Sequence, residues 1–382
     1  MVATLTALQF CFAITWVMYV IYLPALAAQA GIDKSWVPWI LMMDQAIFAA
    51  CDWAAGMYAD RVGRVVGRIG DRMAAVTLAS CAAFVALPWA APALGSVAFV
   101  VLTAFWSVTS SALRAPPLAL VSRHVPEHAH PRMAGLYLLG LGIAGAIAPY
   151  LGLSLKGVDP RIPFAAASVA VAVFALGIAR AERARQAPAP ATAPAGEGPM
   201  AIAPTLAFAL AALLFAFGFQ VHTAINSTPA YLRVATPEHL PQLLPVFWVG
   251  FSLAILPATL LPKRFGGVRV MVAAGVIGVL AAWFTALSLT FEPLIAAQLA
   301  MGAAWGVLLE SAFAAALATG RGGREGGATG VILSVLAVAA FARIALVTAG
   351  IQKQPGVAEW LPLAPALAWG LGAALLLMRL RS

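Results

Sequence analysis

Long apolar runs alternate with short polar connections along the whole 382-residue chain. A helix needs roughly 20 apolar residues to cross a hydrocarbon core about 30 Å thick. Runs of that length predict twelve membrane-spanning helices, at about residues 5–30, 36–59, 73–91, 95–121, 133–155, 162–180, 201–228, 241–262, 268–290, 293–319, 327–351 and 358–379. The runs do not alternate in polarity, as the strands of a membrane barrel do. The predicted fold class is therefore an all-α integral membrane protein.

Composition supports lipid as the solvent. The chain is 63% hydrophobic and 10% charged, whereas soluble domains are about 45–50% apolar and about 25% charged. A large soluble fold is excluded because the chain has too little polar surface to cover its core. The opening MVATLTALQF lacks the basic segment of a cleavable signal, so the first apolar run is expected to stay in place as helix 1.

Basic residues are distributed unevenly among the connections. Of the 23 Lys and Arg residues, sixteen fall in one alternating set of connections and termini, five in the other set, and two inside spans. Basic loops stay in the cytoplasm, so both termini are predicted to be cytoplasmic. This asymmetry accounts for the net charge of +9, and no nucleic-acid partner is needed to explain it. The compact loops and the Ala/Gly/Pro/Arg-rich composition favour a bacterial cytoplasmic (inner) membrane.

A proline-rich segment, 182–200, divides six spans from six. Its composition is typical of an extended linker. The halves 1–181 and 201–382 also repeat weakly, since YADRVGR at 58–64 aligns with LPKRFGG at 261–267 and AGLYLL at 134–139 aligns with TGVILS at 329–334. We therefore predict two pseudo-symmetric six-helix halves joined by a cytoplasmic linker, an arrangement used by transporters.

The segment GMYADRVGR between the second and third spans has a distinctive spacing, at Gly56, Asp60, Arg61, Gly63 and Arg64. It resembles the signature loop of the major facilitator superfamily. The resemblance implies twelve helices, transport by alternating access, and a gating contact of Asp60 with helix 11. In physical terms, Gly56 would let two backbones approach and Gly63 would permit a tight turn.

Helix 5 carries part of a second motif of this superfamily. Gly135, Pro149 and Gly152 match positions associated with antiporters, which favours export. Arg114 resembles a helix 4 arginine that is associated with proton coupling in related antiporters.

Five charged residues lie inside predicted spans: Asp44, Asp52, Arg114, Glu310 and Arg343. Each costs roughly 3 kcal/mol at a helix centre, so each is a functional candidate by default. Depth predicts an Asp52–Arg114 pair, and together with the superfamily's contact between helices 2 and 11 it suggests an Asp44–Arg343 latch. Glu310 has no basic residue at matching depth, so it is expected to carry a proton or to be a neutral, hydrogen-bonded glutamic acid.

In the superfamily, helices 1, 4, 7 and 10 line the substrate cavity. The matching polar and aromatic positions are Trp16, Tyr19, Trp106, Ser110, Arg114, Gln220, His222, Asn226 and Trp305. His222 is either a hydrogen-bonded structural residue or part of substrate or proton binding.

Histidines also cluster outside the spans. His124, His128 and His130 lie in a solvated loop without cysteine, so we predict neither a metal site nor a cofactor.

Together these features predict a secondary active transporter of a small organic solute, proton-coupled and favouring efflux of drugs or metabolites. The alternatives are a proton-coupled importer of an organic anion and a non-transporting receptor or scaffold of this fold. No motif of a membrane enzyme is found, so the chain is not expected to be an enzyme. The expected partners are a small-molecule substrate, protons and membrane lipid, and the chain is expected to act as a monomer.

Overall fold

The computed structural model describes residues 1–66, 68–185, 202–320 and 323–381, and these residues form helices and no strands. We number the membrane-crossing helices in chain order. They are α1 Val2–Gln29, α2 Val37–Val66, α3 70–94, α4 96–110 continued by Ala115–Ser122, α5 His130–Ser154, α6 Arg161–Arg183, α7 Ile202–Val221 continued by Ser227–Leu232, α8 Pro245–Ala258, α9 Gly267–Leu287, α10 Phe291–Thr319, α11 Glu325–Thr348 and α12 Ala364–Arg381.

The predicted count of twelve helices is confirmed. Nine helices in the described part of the chain are long and apolar enough to cross a membrane, and one of these, Gly70–Ser122, contains both α3 and α4. The other two are α2, whose 30 residues include five charged ones, and the shorter apolar stretch Ala364–Leu380.

Gly95 alone separates α3 from α4. Its backbone adopts φ 76° and ψ −179°, a conformation that residues with a Cβ rarely adopt. Pro88 and Pro92 precede it and weaken the end of α3, because proline has no N–H to donate to the preceding turn. A glycine therefore turns the chain between two crossings without a connecting loop.

Two helices are irregular where they carry polar residues. In α4 a 3₁₀ turn at Ser111–Leu113 precedes Arg114, whose φ of −103° and ψ of −79° mark a break. Pro116 and Pro117 follow, and they cannot donate the hydrogen bonds that would continue the helix. In α7 a π-helical turn spans His222–Asn226. Such π-turns are frequent at functional sites.

The chain divides into two compact units. Unit 1 is Met1–Glu127, Tyr150–Gly196 and Leu317–Ala337, and unit 2 is His128–Pro149, Glu197–Ala316 and Val338–Ser382. The core of unit 1 contains the stacked rings of Phe84 and Phe164, with centroids 4.2 Å apart. In unit 2, Trp369 of α12 donates a hydrogen bond to the Phe215 carbonyl of α7 at 2.8 Å.

The proline-rich linker lies almost wholly outside the described residues, because 186–201 are not described. The division into halves 1–181 and 201–382 therefore stays a prediction. At the near end of the linker the prediction was wrong about Glu182, which belongs to α6 and is 4% exposed.

Candidate functional site

Asp60 binds the start of α11 within unit 1. The backbone N–H groups of Gly326 and Gly327 donate to its two carboxylate oxygens at 2.9 and 2.7 Å. The first N–H groups of a helix have no partner inside it, and the positive end of the helix dipole favours an anion there. Asp60 is only 3% exposed. The predicted contact of Asp60 with helix 11 is thus present.

Glycines bring α2 and α11 into backbone contact at this point. A Cβ added to Gly56 would overlap the carbonyl oxygen of Gly326. One turn earlier in α2 and one turn later in α11, a Cβ on Gly330 would lie 2.7 Å from the carbonyl oxygen of Asp52. Gly56 and Gly330 therefore both permit the close approach of the two backbones. We call Gly56, Asp60, Gly326, Gly327 and Gly330 the α2–α11 junction.

The predicted turn at Gly63 was wrong. Gly63 lies inside α2, which continues to Val66, and its φ is not positive. The missing side chain instead makes room for Arg123, because a Cβ on Gly63 would overlap that guanidinium. From this position Arg123 lies 3.6 Å from the Asp60 carboxylate and donates to the Asp60 carbonyl at 3.3 Å.

Arg61 of the motif lies apart from this contact in the described structure. Arg61 is exposed, and no hydrogen bond or ion pair of its side chain occurs within the described residues. The side chain of Arg64 lies outside the described atoms. The cation beside Asp60 is therefore Arg123 at the end of α4. From the sequence, Arg123 counted only as one of the basic loop residues that set the topology.

A second buried carboxylate holds the other end of the motif loop. Glu182 of α6 accepts hydrogen bonds from the N–H groups of Ile69 and Gly70, at 3.1 and 2.7 Å. These amides open α3, so Glu182 binds its N-terminus as Asp60 binds that of α11. The loop between α2 and α3 is thereby tied to the last turn of α6.

Asp52 and Arg114 form the ion pair that their depths predicted. Arg114 Nη1 lies 2.9 Å from Asp52 Oδ2, and the Asp52 side chain is fully buried. The guanidinium also lies over the Phe48 ring, 4.7 Å from its centroid. The break in α4 at Arg114 thus faces α2, and each charge offsets the desolvation cost of the other.

Asp44 has two hydroxyl partners within unit 1. Tyr19 of α1 donates to one carboxylate oxygen at 2.7 Å, and Ser107 of α4 donates to the other at 2.6 Å. Asp44 is 0% exposed. Two hydroxyl groups therefore satisfy the buried Asp44 carboxyl. The Asp44–Arg343 latch is not needed to explain this burial, and it stays a prediction.

Glu310 lies where α10 meets α5 and α8 in unit 2. It is 0% exposed, and within the described residues neither carboxylate oxygen has a hydrogen-bond donor or an ion pair within bonding distance. Ser311 on the same helix and the charge of Lys263 act on it electrostatically. A Cβ on Gly135 of α5 would lie 2.6 Å from Thr259 Cγ2 and 3.8 Å from Glu310 Cγ. Gly135 of the partial helix 5 motif therefore makes room for Thr259 beside this carboxyl.

The π-turn region of α7 connects three neighbours in unit 2. His222 bonds Gln298 of α10 at 2.9 Å and is 1% exposed. Asn226 donates to the Leu361 carbonyl at 2.9 Å, and Arg343 of α11 donates to Gln220 Oε1 at 3.4 Å. The geometry favours the structural role for His222, one of the two that the sequence left open.

The aromatic cavity candidates pack as clusters inside their own units. In unit 1, Trp16 stacks on Trp106 at 6.2 Å and Tyr19 lies 4.7 Å from Trp106, while Ser110 is fully buried and donates to the Ser107 carbonyl. In unit 2, Trp305 stacks on Phe219 with centroids 4.6 Å apart.

The three histidines were predicted to lie in a solvated loop, but His130 begins α5 and is only 8% exposed. A ring nitrogen of His124 lies 2.9 Å from the Leu120 carbonyl oxygen. Among the residues that the structure describes, no group of three or more His, Cys, Asp and Glu is placed to hold a metal ion.

A family comparison decides the identity of this arrangement. The model of the Major Facilitator Superfamily matches residues 5–343. The chain belongs to the major facilitator superfamily. As a member of this superfamily it is a multi-pass integral membrane protein and a secondary transporter. None of the curated proteins compared with the chain matches its sequence.

Solved structures of the same superfamily share the fold. The transporter FucP in its outward conformation, the fucose:proton symporter of E. coli, has a TM-score of 0.74 at 16% identity, covering 100% of this chain and 98% of FucP. The human organic anion transporter MFSD10 has a TM-score of 0.75 at 14% identity, covering 98% of each chain. The proton:xylose symporter XylE has a TM-score of 0.69 at 12% identity, covering 98% of this chain and 93% of XylE.

Sequence reasoning missed Arg123 and Glu182, two residues from other helices of this superfamily member that contact its α2–α3 region. Arg123 was recognisable only as a basic loop residue, and Glu182 only as the start of a linker. Both act on residues more than 60 positions away. A signal was present for Glu182, since a carboxylate can bind the N-terminus of a neighbouring helix, whereas no local pattern pointed to Arg123.

Proposed function

We propose that this superfamily member couples the movement of a small organic solute to protons by alternating access in a bacterial cytoplasmic membrane. Both termini face the cytoplasm in this proposal, as the distribution of basic loops favours. The partial antiporter motif of α5 favours efflux. FucP and XylE, which share the fold, are proton symporters, and this supports proton coupling without setting its direction.

The observation that carries the proposal is Glu310. A carboxyl group that is enclosed in an apolar environment, with no cation in direct contact, is more stable in its neutral form. It releases its proton when water or a cation reaches it. A rearrangement of α10 against α5 and α8 that opens the site would therefore change its protonation, which is the step that couples solute movement to a proton gradient.

The α2–α11 junction supports the alternating-access part of the proposal. Two helices in backbone contact, with a buried carboxylate bound to one helix terminus, form a closed contact that can separate as a unit. Opening it costs two charge-assisted hydrogen bonds, each worth about 1.5–3 kcal/mol. A cost of that size is within the range that solute binding can supply.

The test uses the purified protein in liposomes that contain a pH-sensitive dye. A panel of organic acids, organic amines and neutral drugs is added, and solute-dependent proton movement is recorded under pH gradients of both signs. We expect Glu310→Gln to lower proton movement at least tenfold while unlabelled solute still exchanges for labelled solute. Exchange needs no net proton transfer, so it separates coupling from binding.

Glu238→Gln is the matched control, because Glu238 is an exposed glutamate in the connection between α7 and α8. It should leave proton movement within about twofold of the wild type, since surface substitutions away from packed features have small effects. Equal proton movement in Glu310→Gln and the wild type would refute proton carriage by Glu310. Absence of flux for every solute class would favour a non-transporting role.

A further inference from the structure

We infer that Arg343, with Gln220, binds the anionic group of the transported solute, which makes the solute a small organic monocarboxylate with an apolar or aromatic body. The inference rests on the proposed transport function and names its substrate class. It does not depend on the direction of transport.

Arg343 differs in its partners from Arg114, Arg123 and Arg233. Arg114 has the carboxylate of Asp52 at 2.9 Å, and Arg123 has that of Asp60 at 3.6 Å. Arg233 donates to the carbonyls of Thr285 and Ala286 at 2.6 and 3.1 Å. Within the described residues the Arg343 guanidinium makes one hydrogen bond, at 3.4 Å to Gln220, and no ion pair.

This leaves most of the guanidinium without an acceptor. The group carries five N–H donors in a planar fork, and only Nε is used. An arginine inside a membrane span costs roughly 3 kcal/mol on insertion scales, and a fold recovers that cost through an anionic partner. Since the chain supplies none to Arg343 in the described structure, a ligand carboxylate is the partner that fits, because its two oxygens match the fork.

Gln220 adds donors of matching geometry. Its carbonyl oxygen faces Arg343 Nε, so its amide N–H groups point elsewhere and are not bonded within the described residues. Both side chains are partly exposed rather than sealed in the core. A bound carboxylate can therefore accept from the guanidinium and from the amide together.

The adjacent residue sets the character of the solute's body. Phe219 precedes Gln220 on α7, is partly exposed, and stacks on Trp305. Trp248 of α8 packs edge-on against Phe219 at 5.9 Å. These rings lie one residue along α7 from Gln220, and an aromatic surface at that distance from a single cation suits a monoanion with an apolar or aromatic body better than a sugar or a polyanion.

The experiment measures melting temperatures of the purified full-length protein with paired probes, benzoate against benzamide and phenylacetate against phenylacetamide. A ligand that binds the folded state raises the melting temperature, and the stabilisation grows with the logarithm of the ligand concentration divided by its dissociation constant. Each acid should bind at least about tenfold more tightly than its amide, since a charge-assisted bidentate bond is lost in the amide. Arg343→Lys should weaken acid binding about tenfold, because lysine keeps the charge without the fork.

Arg343→Gln should abolish the preference for acid over amide. Arg132→Gln, which removes an exposed cation in the same unit, should retain it. If Arg343→Gln does not fold, Gln220→Ala serves instead, because it removes only the neighbouring donor and should weaken acid binding about threefold to tenfold. Equal binding of acids and amides, or unchanged acid binding in both Arg343→Lys and Gln220→Ala, would overturn the assignment.

Failure of this assignment is distinguishable from failure of the transport proposal. If neutral or cationic solutes drive Glu310-dependent proton movement and no acid binds, the transport proposal stands and the carboxylate assignment is wrong. If acids bind in an Arg343-dependent way but drive no proton movement, the binding site stands and the coupling proposal is wrong.

Discussion

The bond between Asp60 and the start of α11 makes a quantitative prediction about Asp60→Asn. In the wild type two backbone N–H groups, of Gly326 and Gly327, donate to the two carboxylate oxygens at 2.9 and 2.7 Å. An asparagine offers one acceptor oxygen and one NH₂ group. At least one of the two backbone donors therefore loses its acceptor, and Arg123 loses the charge that lies 3.6 Å away.

The size of the effect follows from burial. Asp60 is 3% exposed, so water cannot replace the lost acceptor without the junction opening. A hydrogen bond to a charged group contributes about 1.5–3 kcal/mol, and an unsatisfied buried donor costs about 1–3 kcal/mol. We expect Asp60→Asn to lower the free energy of opening the α11 start by about 2–3 kcal/mol. This corresponds to a roughly 30-fold to 150-fold higher population of the open form, since about 1.4 kcal/mol is tenfold.

Hydrogen–deuterium exchange with mass spectrometry measures this population directly. Peptides that cover the first turns of α11 should exchange faster in Asp60→Asn by the same factor, while peptides of α9 and α12 should not change. Asp71→Asn is the matched control, because Asp71 forms an exposed pair with Arg183, their side chains being 60% and 55% exposed. Exposed ion pairs contribute about 0–1 kcal/mol, so this variant should exchange like the wild type.

Two results would refute the reasoning. If exchange at the start of α11 is unchanged in Asp60→Asn, the two hydrogen bonds do not hold the junction closed. If Asp71→Asn accelerates exchange as much as Asp60→Asn does, the effect comes from net charge and not from the bonded carboxylate.

Three further predictions follow from the same contacts. Arg114→Gln alone should lower the melting temperature more than the double variant Asp52→Asn/Arg114→Gln does. Removing one partner of a buried pair leaves an uncompensated charge, which costs about 3–5 kcal/mol. A double variant that is less stable than the single variant would contradict this. Glu182→Gln should destabilise the start of α3 by about 1–3 kcal/mol, read as faster exchange in peptides that begin α3, and unchanged exchange there would count against the cap. Gly63→Ala should displace the Arg123 guanidinium. In a double-variant cycle, Gly63→Ala and Arg123→Gln should therefore have strongly non-additive effects on the melting temperature. Additive effects would show that the two residues do not share this space.

Depth along the membrane normal predicted the Asp52–Arg114 pair but did not reveal the partners of Asp44. Helical rise places residues along the membrane normal to within a turn, and that was sufficient for Asp52 and Arg114, which lie on neighbouring helices of one unit. It was insufficient for Asp44, because depth does not reveal which way a side chain points around its helix. The hydroxyl groups of Tyr19 and Ser107 satisfy Asp44 from two other helices.

Within the motif, the roles of some residues could be predicted from the sequence and the role of Gly63 could not. Gly56 indicated a close helix contact because glycine has no side chain, and Asp60 indicated a bonded carboxylate because an acidic group binds a helix N-terminus. The function of Gly63 depends on what lies opposite it. Arg123 comes from another helix 60 residues later, and no local pattern indicates that it fills this space.

The sequence by itself determined the solvent, the helix count, the superfamily and the set of charged residues that the membrane makes costly. These properties follow from hydrophobic run length, composition and residue spacing, which act locally along the chain. Tertiary structure decided which charges are paired, which are satisfied by hydroxyl groups, and which remain available. Asp52 is paired with Arg114, Asp44 is bonded by hydroxyls, and Glu310 and Arg343 form no ion pair within the described residues. Those outcomes depend on the rotation and packing of distant helices, because a hydrogen bond or ion pair forms only when two groups meet within about 3–4 Å.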